Sequence, residues 1–146
     1  MKAKKQPRLI LDDSSLEEEF FEDITLMGIV SARKPHQLAW YIREYTGYLF
    51  QRNHDFQNVK AEFIFPVFYL EEKLQCTEHF LFTNRIQKEF LIPEAKNIDF
   101  IWMIKSNMQR IELRDKILPK LSGIPSIDFA FDINPANLKS RQVLVV

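Results

Sequence analysis

The sequence predicts an α+β fold: a mostly antiparallel sheet with two main helices packed on one face. Three observations carry that expectation. Alternating apolar residues recur from residue 61 to residue 105, as strands do. Two helix-period segments, one opening at Pro35 and one after Ser106, lie on either side of that strand material. The order of elements then reads as two β-α-β-like halves flanking a β-meander.

Residues 1–8 read as a flexible basic arm, with Lys2, Lys4, Lys5 and Arg8, ahead of a single domain over 9–146. Ser15-Leu16-Glu17-Glu18 has capping-box spacing and predicts a short first helix carrying Phe20 and Phe21. Residues 23–31 read as a strand buried on both faces, in which Gly28 marks a bulge or a close neighbour. Pro35 at the first helical position opens the best-marked helix. Leu38, Tyr41, Ile42 and Tyr45 follow at i, i+3, i+4 and i+7, and Gly47 supplies a left-handed cap. A short strand over 48–51 and a polar loop over 52–58 come next. The aromatic run 61–71 must bend at Pro66 or lie at an edge. After a turn at 71–73 the chain returns over 77–83, turns again through 84–88 and enters 89–92, an antiparallel meander.

The centre of the chain is residues 89–106. Pro93 has no N–H to donate, so a strand through Phe90, Leu91 and Ile92 stops there. Residues 93–97 form a turn, with Asn97 as a suitable exit residue. From Ile98 the side chains alternate. Ile98, Phe100, Trp102 and Ile104 share an apolar face, and Asp99, Ile101, Met103 and Lys105 share the other, as in a central strand covered on both sides. Ser106 and Gln109 make a second capping box. The helix after it places Ile111, Leu113, Ile117, Leu118 and Leu121 on one face and ends near Leu118 because of Pro119. Ile127, Phe129, Phe131 and Ile133 alternate with Asp128, Ala130 and Asp132, a strand with one buried and one wet face. The uncharged side chains of 143–146 are expected to form a last short strand on a sheet edge, in the same chain or in a homodimer.

Ile92-Pro93-Glu94, three residues, then Ile98-Asp99-Phe100 resembles the signature of the IPExxxVDY family, small bacterial proteins without an assigned activity. Asp23 to Ile29 and the helical stretch after it are also similar to that family's first half, so the resemblance covers roughly residues 20 to 133. Isoleucine at 98 stands where the pattern has valine, and Phe100 where it has tyrosine. With no hydroxyl at 100, the ring there is expected to serve core packing.

Composition limits the functional classes. A 146-residue chain with 46% hydrophobic residues is large and apolar enough to bury a core. Thirteen phenylalanines against three glycines leave few places where backbone could hug a phosphate. Twenty basic and twenty acidic residues cancel, which argues against a general nucleic-acid binder. Cys76 is alone, so a reducing cytoplasm fits best. Leu9 to Leu11 is too short for a signal-peptide core, and no apolar run approaches the ~18 residues of a membrane span. A soluble, cytoplasmic protein with no membrane association and no cofactor is expected.

Glu94 and Asp99 are the candidate catalytic carboxylates, because two acids in unlike environments can divide acid and base roles. The alternative is architectural: Glu94 accepting backbone N–H groups after Pro93, and Asp99 fixing the start of the central strand. A pocket holding both carboxylates would favour a small enzyme. Cys76 and His79 have C-x-x-H spacing, but on a strand they point to opposite faces, so no metal site is expected. His36, His54 and His79 are dispersed and read as surface or boundary residues. The basic arm, and aromatics interleaved with Arg43, Arg52 and Arg85, give a single-stranded nucleic-acid reading limited support. With no recognisable site, the favoured expectation is a non-enzymatic protein-interaction or regulatory module that uses strand material to meet a protein partner.

Overall fold

A computed structural model describes residues 8–107 and 110–146, excluding the side chains of residues 8–14 and of Arg110. In chain order the elements are α1 (Arg8–Glu22), β1 (Ile24–Val30), α2 (Pro35–Thr46), β2 (Gln51–Arg52), β3 (Asn58–Lys60), β4 (Phe63–Phe65), β5 (Val67–Glu72), β6 (Thr77–Thr83), β7 (Arg85–Ile86), β8 (Glu89–Phe90), β9 (Phe100–Lys105), α3 (Arg110–Ser122) and β10 (Phe129–Ile133). Six strands form one sheet in the order β10-β1-β9-β6-β5-β2, every neighbouring pair antiparallel. The pairs β3–β4 and β7–β8 are separate hairpins. The α+β class therefore holds, with its mostly antiparallel sheet.

β9 lies between β1 and β6, so Ile101, Trp102, Met103 and Ile104 are fully buried. Burying side chains of this size stabilises the fold by roughly 1.5–3 kcal/mol each. On one face Met27, Leu81, Phe100, Trp102 and Ile104 pack beneath α2 (Leu38, Ile42) and α3 (Leu113, Ile117, Leu121). On the other, Leu26, Phe80, Phe82, Ile101 and Met103 are covered by Phe21, the loop residues Ile92 and Ile98, and Leu144. Ile98 thus joins the face opposite Phe100, because regular pairing begins at Phe100 and the turn before it reverses the alternation. Phe100 packs in the core beneath the helices.

The two halves are crossovers between parallel strands that are not adjacent. β9 and β10 are both antiparallel to β1, which lies between them, so β9–α3–β10 is a split β-α-β unit. β1–α2–β2 carries the chain from one side of the sheet to the far edge. Gly28 makes no bulge. A Cβ there would come within 2.9 Å of the Phe131 ring, so the glycine admits a close neighbour. Gly47 takes the left-handed cap at φ 81°.

Several expectations are corrected. Ser15 to Glu18 lie inside α1, which already begins at Arg8, so that capping box starts no helix; residues 1–7 of the expected arm lie outside the described residues. The second box likewise involves Gln109, outside the described residues. The aromatic run does break at Pro66 as expected, but it is two strands, and β4 leaves the main sheet to pair with β3. The short strand near 48–51 is confined to β2, since Tyr48 and Phe50 turn into the core. The third meander segment shortens to β8 and pairs only with β7, because the loop after it folds over the sheet. Pro119 sits within α3: its fixed φ suits a helix, and buried Leu121 holds the last turn in place. Phe129 and Phe131 are exposed, at 68% and 38%, because β10 is an edge strand that its neighbours cover only in part. The C-terminus forms a 3₁₀ turn over Arg141–Leu144, not a strand, because Leu144 is drawn wholly into the second core.

Candidate functional site

Residues 91–99 wrap around one side chain. Asn84 is fully buried at the end of β6. Its Nδ2 donates to the Ala95 carbonyl (2.9 Å) and the Ile98 carbonyl (2.8 Å), and its Oδ1 accepts from the Ile92 N–H (2.9 Å). Its backbone donates to the Asp99 carbonyl and accepts from the Leu91 N–H. With both its donors and its acceptor engaged, a buried amide becomes an anchor for the loop. The sequence offers this residue only as a turn former; its burial depends on strands paired far along the chain.

The two candidate carboxylates hold the same loop from outside. Glu94 accepts from the backbone N–H and the hydroxyl of Ser140, tying the loop to the C-terminal segment. Burial alone would raise its pKa, but the N–H groups of Ser140, Glu94 and Lys139 and the Ser140 hydroxyl together hold it below the ordinary 4.5. That direction is opposite to what a general acid needs. Asp99 Oδ2 accepts from the Ser31 N–H (2.9 Å), and Oδ1 lies 3.6 Å from Arg85 Nη1. Its own N–H donates to the Ile29 carbonyl, so Asp99 joins the end of β1 to the start of β9. Ser31 continues the tie by donating to the Ser126 carbonyl (2.7 Å).

Two cavities open at this end of the sheet. One, of about 560 Å³, includes Ser31, Arg33, Lys34, His36, Arg85 and Asp99 in its lining. The other, of about 580 Å³, is lined by Val30, Arg85, Lys96, Asn97, Asp99, Phe129 and Phe131. Asp99 lines both and Glu94 neither, so neither cavity holds the expected carboxylate pair. Of the arginines noted in the sequence, Arg85 lines both cavities, Arg43 lies 3.7 Å from Glu44, and Arg52 donates to Gln57.

His79 departs from the surface position expected of it. It is 1% exposed on β6, among Tyr48, Phe50 and Trp102. The Trp102 indole N–H donates to Nδ1 (3.0 Å), so Nε2 carries the proton and donates to the Glu72 carboxylate. Burial lowers its pKa; Glu72 opposes that shift and Lys116 reinforces it. A Glu-His pair resembles half of a catalytic triad, but here the second ring nitrogen meets a donor, not a nucleophile. Cys76 sits outside the strand in a left-handed turn at φ 50°. Among the described residues no three His, Cys, Asp or Glu side chains are grouped to hold a metal, and no helix is long and apolar enough to cross a membrane.

Fold and site together define a small α+β domain in which the conspicuous polar residues hold a loop and two strand ends in place. No family model, curated protein or solved structure matches the chain.

Proposed function

We propose that the protein is a non-enzymatic, cytoplasmic interaction module that binds an extended segment of a partner protein along the open edge of β10. The observation that carries this reading is the pair Phe129 and Phe131, alternating on a terminal strand and exposed above a cavity. Around Phe129 to Phe131 a terminal strand can take an added strand along its backbone, while alternate side chains find the pockets. The partner's chemistry follows from the lining. Apolar residues at every second position would seat against the two rings, and an acidic residue would meet Lys96 and Arg85. Kinship with the IPExxxVDY family is part of this proposal. It is supported by the architectural use of each motif position, from buried Ile92, Ile98 and Phe100 to the ties made by Glu94 and Asp99.

Panning a library of random peptides against the protein tests the reading. Peptides that alternate apolar residues and carry an acid should be enriched, and Phe129→Ser, at an exposed position, should abolish their binding. Enrichment that Phe129→Ser leaves unchanged, or no enrichment, would overturn it.

A further inference from the structure

Around the start of α2 the surface is cationic and aromatic at once, and of its residues the partner-docking proposal uses only Arg85. The cavity of about 560 Å³ brings Arg33, Lys34, His36 and Arg85 together, with Asp99 the one acid in its lining. That acid is already engaged by the Ser31 N–H and Arg85. A second cavity of about 370 Å³ shares Arg33 and His36 and adds Gln37, Trp40 and Tyr41. The two cavities therefore adjoin at Arg33 and His36, and the second adds the rings of Trp40 and Tyr41.

Two of the cations are held in position. The Arg33 guanidinium stands 5.1 Å over the Tyr41 ring. Arg85 donates through Nε to the Gln87 carbonyl (3.0 Å), approaches the Phe90 ring and holds Nη1 3.6 Å from Asp99 Oδ1. A guanidinium already fixed loses less freedom when it meets an oxyanion, and its fork matches phosphate. Trp40 is 52% exposed and meets Tyr41 in a T-shaped arrangement at 5.0 Å. An exposed indole beside fixed guanidinium groups suits a planar base joined to a phosphate.

We propose that these joined cavities bind a nucleotide, its phosphate at Arg33, Lys34 and Arg85 and its base on Trp40. The unit is either a free nucleotide or one residue of a single strand. A neutral chain accommodates this because the positive charge is local to the site.

The protein contains two tryptophans, and Trp102 is buried, so a surface ligand should act on the fluorescence of Trp40. Adenosine monophosphate, adenosine, ribose 5-phosphate and a short oligoadenylate would each be titrated against the intact protein. Adenosine monophosphate should quench saturably, and each half-molecule should bind at least about tenfold more weakly. Arg33→Gln combined with Lys34→Gln should weaken nucleotide binding about tenfold, and added salt should weaken it further. Both positions are exposed, and unchanged near-ultraviolet dichroism from Trp102 would establish that the variant is folded. Tighter binding of the oligoadenylate assigns the site to a single strand, and equal binding to a free nucleotide. No saturable signal with any probe at millimolar concentration, equal binding of adenosine and its monophosphate, or a double variant that binds as well as the parent would overturn the proposal. Neither substitution touches β10, so failure here leaves partner docking to its own test.

Discussion

Asn84 carries more of the loop than any other single side chain. Replacing it by alanine leaves the Ile92 N–H and the Ala95 and Ile98 carbonyls without its amide. A buried group left unsatisfied costs about 1–3 kcal/mol, so Asn84→Ala should lower the denaturant midpoint by several kcal/mol equivalent at an unchanged slope. Asp99 is the more damaging carboxylate to remove. Its side chain is 18% exposed and takes the Ser31 N–H, a charge-assisted bond worth about 1.5–3 kcal/mol, whereas Glu94 is exposed. Denaturant melts of Asp99→Ala and Glu94→Ala should preserve that order. Glu94 has its folded pKa depressed, so its contribution is present above 4.5 and is lost as pH falls through the lower folded value.

His79 behaves in a related way for a different reason. Its folded pKa lies below the ordinary 6.5, so the unfolded chain binds more protons between those two values. Stability should be at its plateau above 6.5 and decline as pH falls towards the folded pKa, by at most about 1.4 kcal/mol per pH unit. Glu72 accepts from the ring, Tyr48 packs beside it and the Lys116 charge acts on it from further away, while His36 and His54 are exposed. Urea melts at stepped pH should give the slope, imidazole ¹⁵N shifts should report the Nε2–H tautomer, and His79→Gln should flatten the profile. Neither Asn84 nor His79 was legible in the sequence. A polar residue in a strand or in the turn after it looks the same whether its partners lie across the fold or in water.

At the level of elements, local chemistry was legible wherever it decided the outcome. Pro35 and Gly47 bound α2, β6 runs over Thr77–Thr83 as read between its two turns, and Gly28 meets a close neighbour. Legibility failed where long-range burial overrode local signals. A capping box lies in the middle of α1, Pro119 sits inside α3, and four C-terminal residues resemble a strand without pairing as one. The C-terminal turn makes the point testable. Leu144 has no exposure and fills the second core beside Phe21 and Ile133, while Val145 and Val146 are partly exposed. Leu144→Ala should cost about 2–5 kcal/mol, as for other leucines cut back in a packed core. Deleting only the last two residues should leave the thermal midpoint nearly unchanged.

Across the whole molecule, the question is how a sheet with an open edge avoids pairing with itself. Two copies of β10 could align antiparallel about Ala130, which would bring Phe129 opposite Phe131 of a second copy. β10 is only five residues long, and a very short edge strand is a common safeguard against this kind of association. Two rings on so short a strand offer little of the roughly 1,200 Å² of total buried surface that a stable interface needs. Sedimentation at tens of micromolar should therefore give a monomer for the parent chain. A dimer in the parent, weakened by Phe129→Ser, would mean that the occupant of the edge is a second copy.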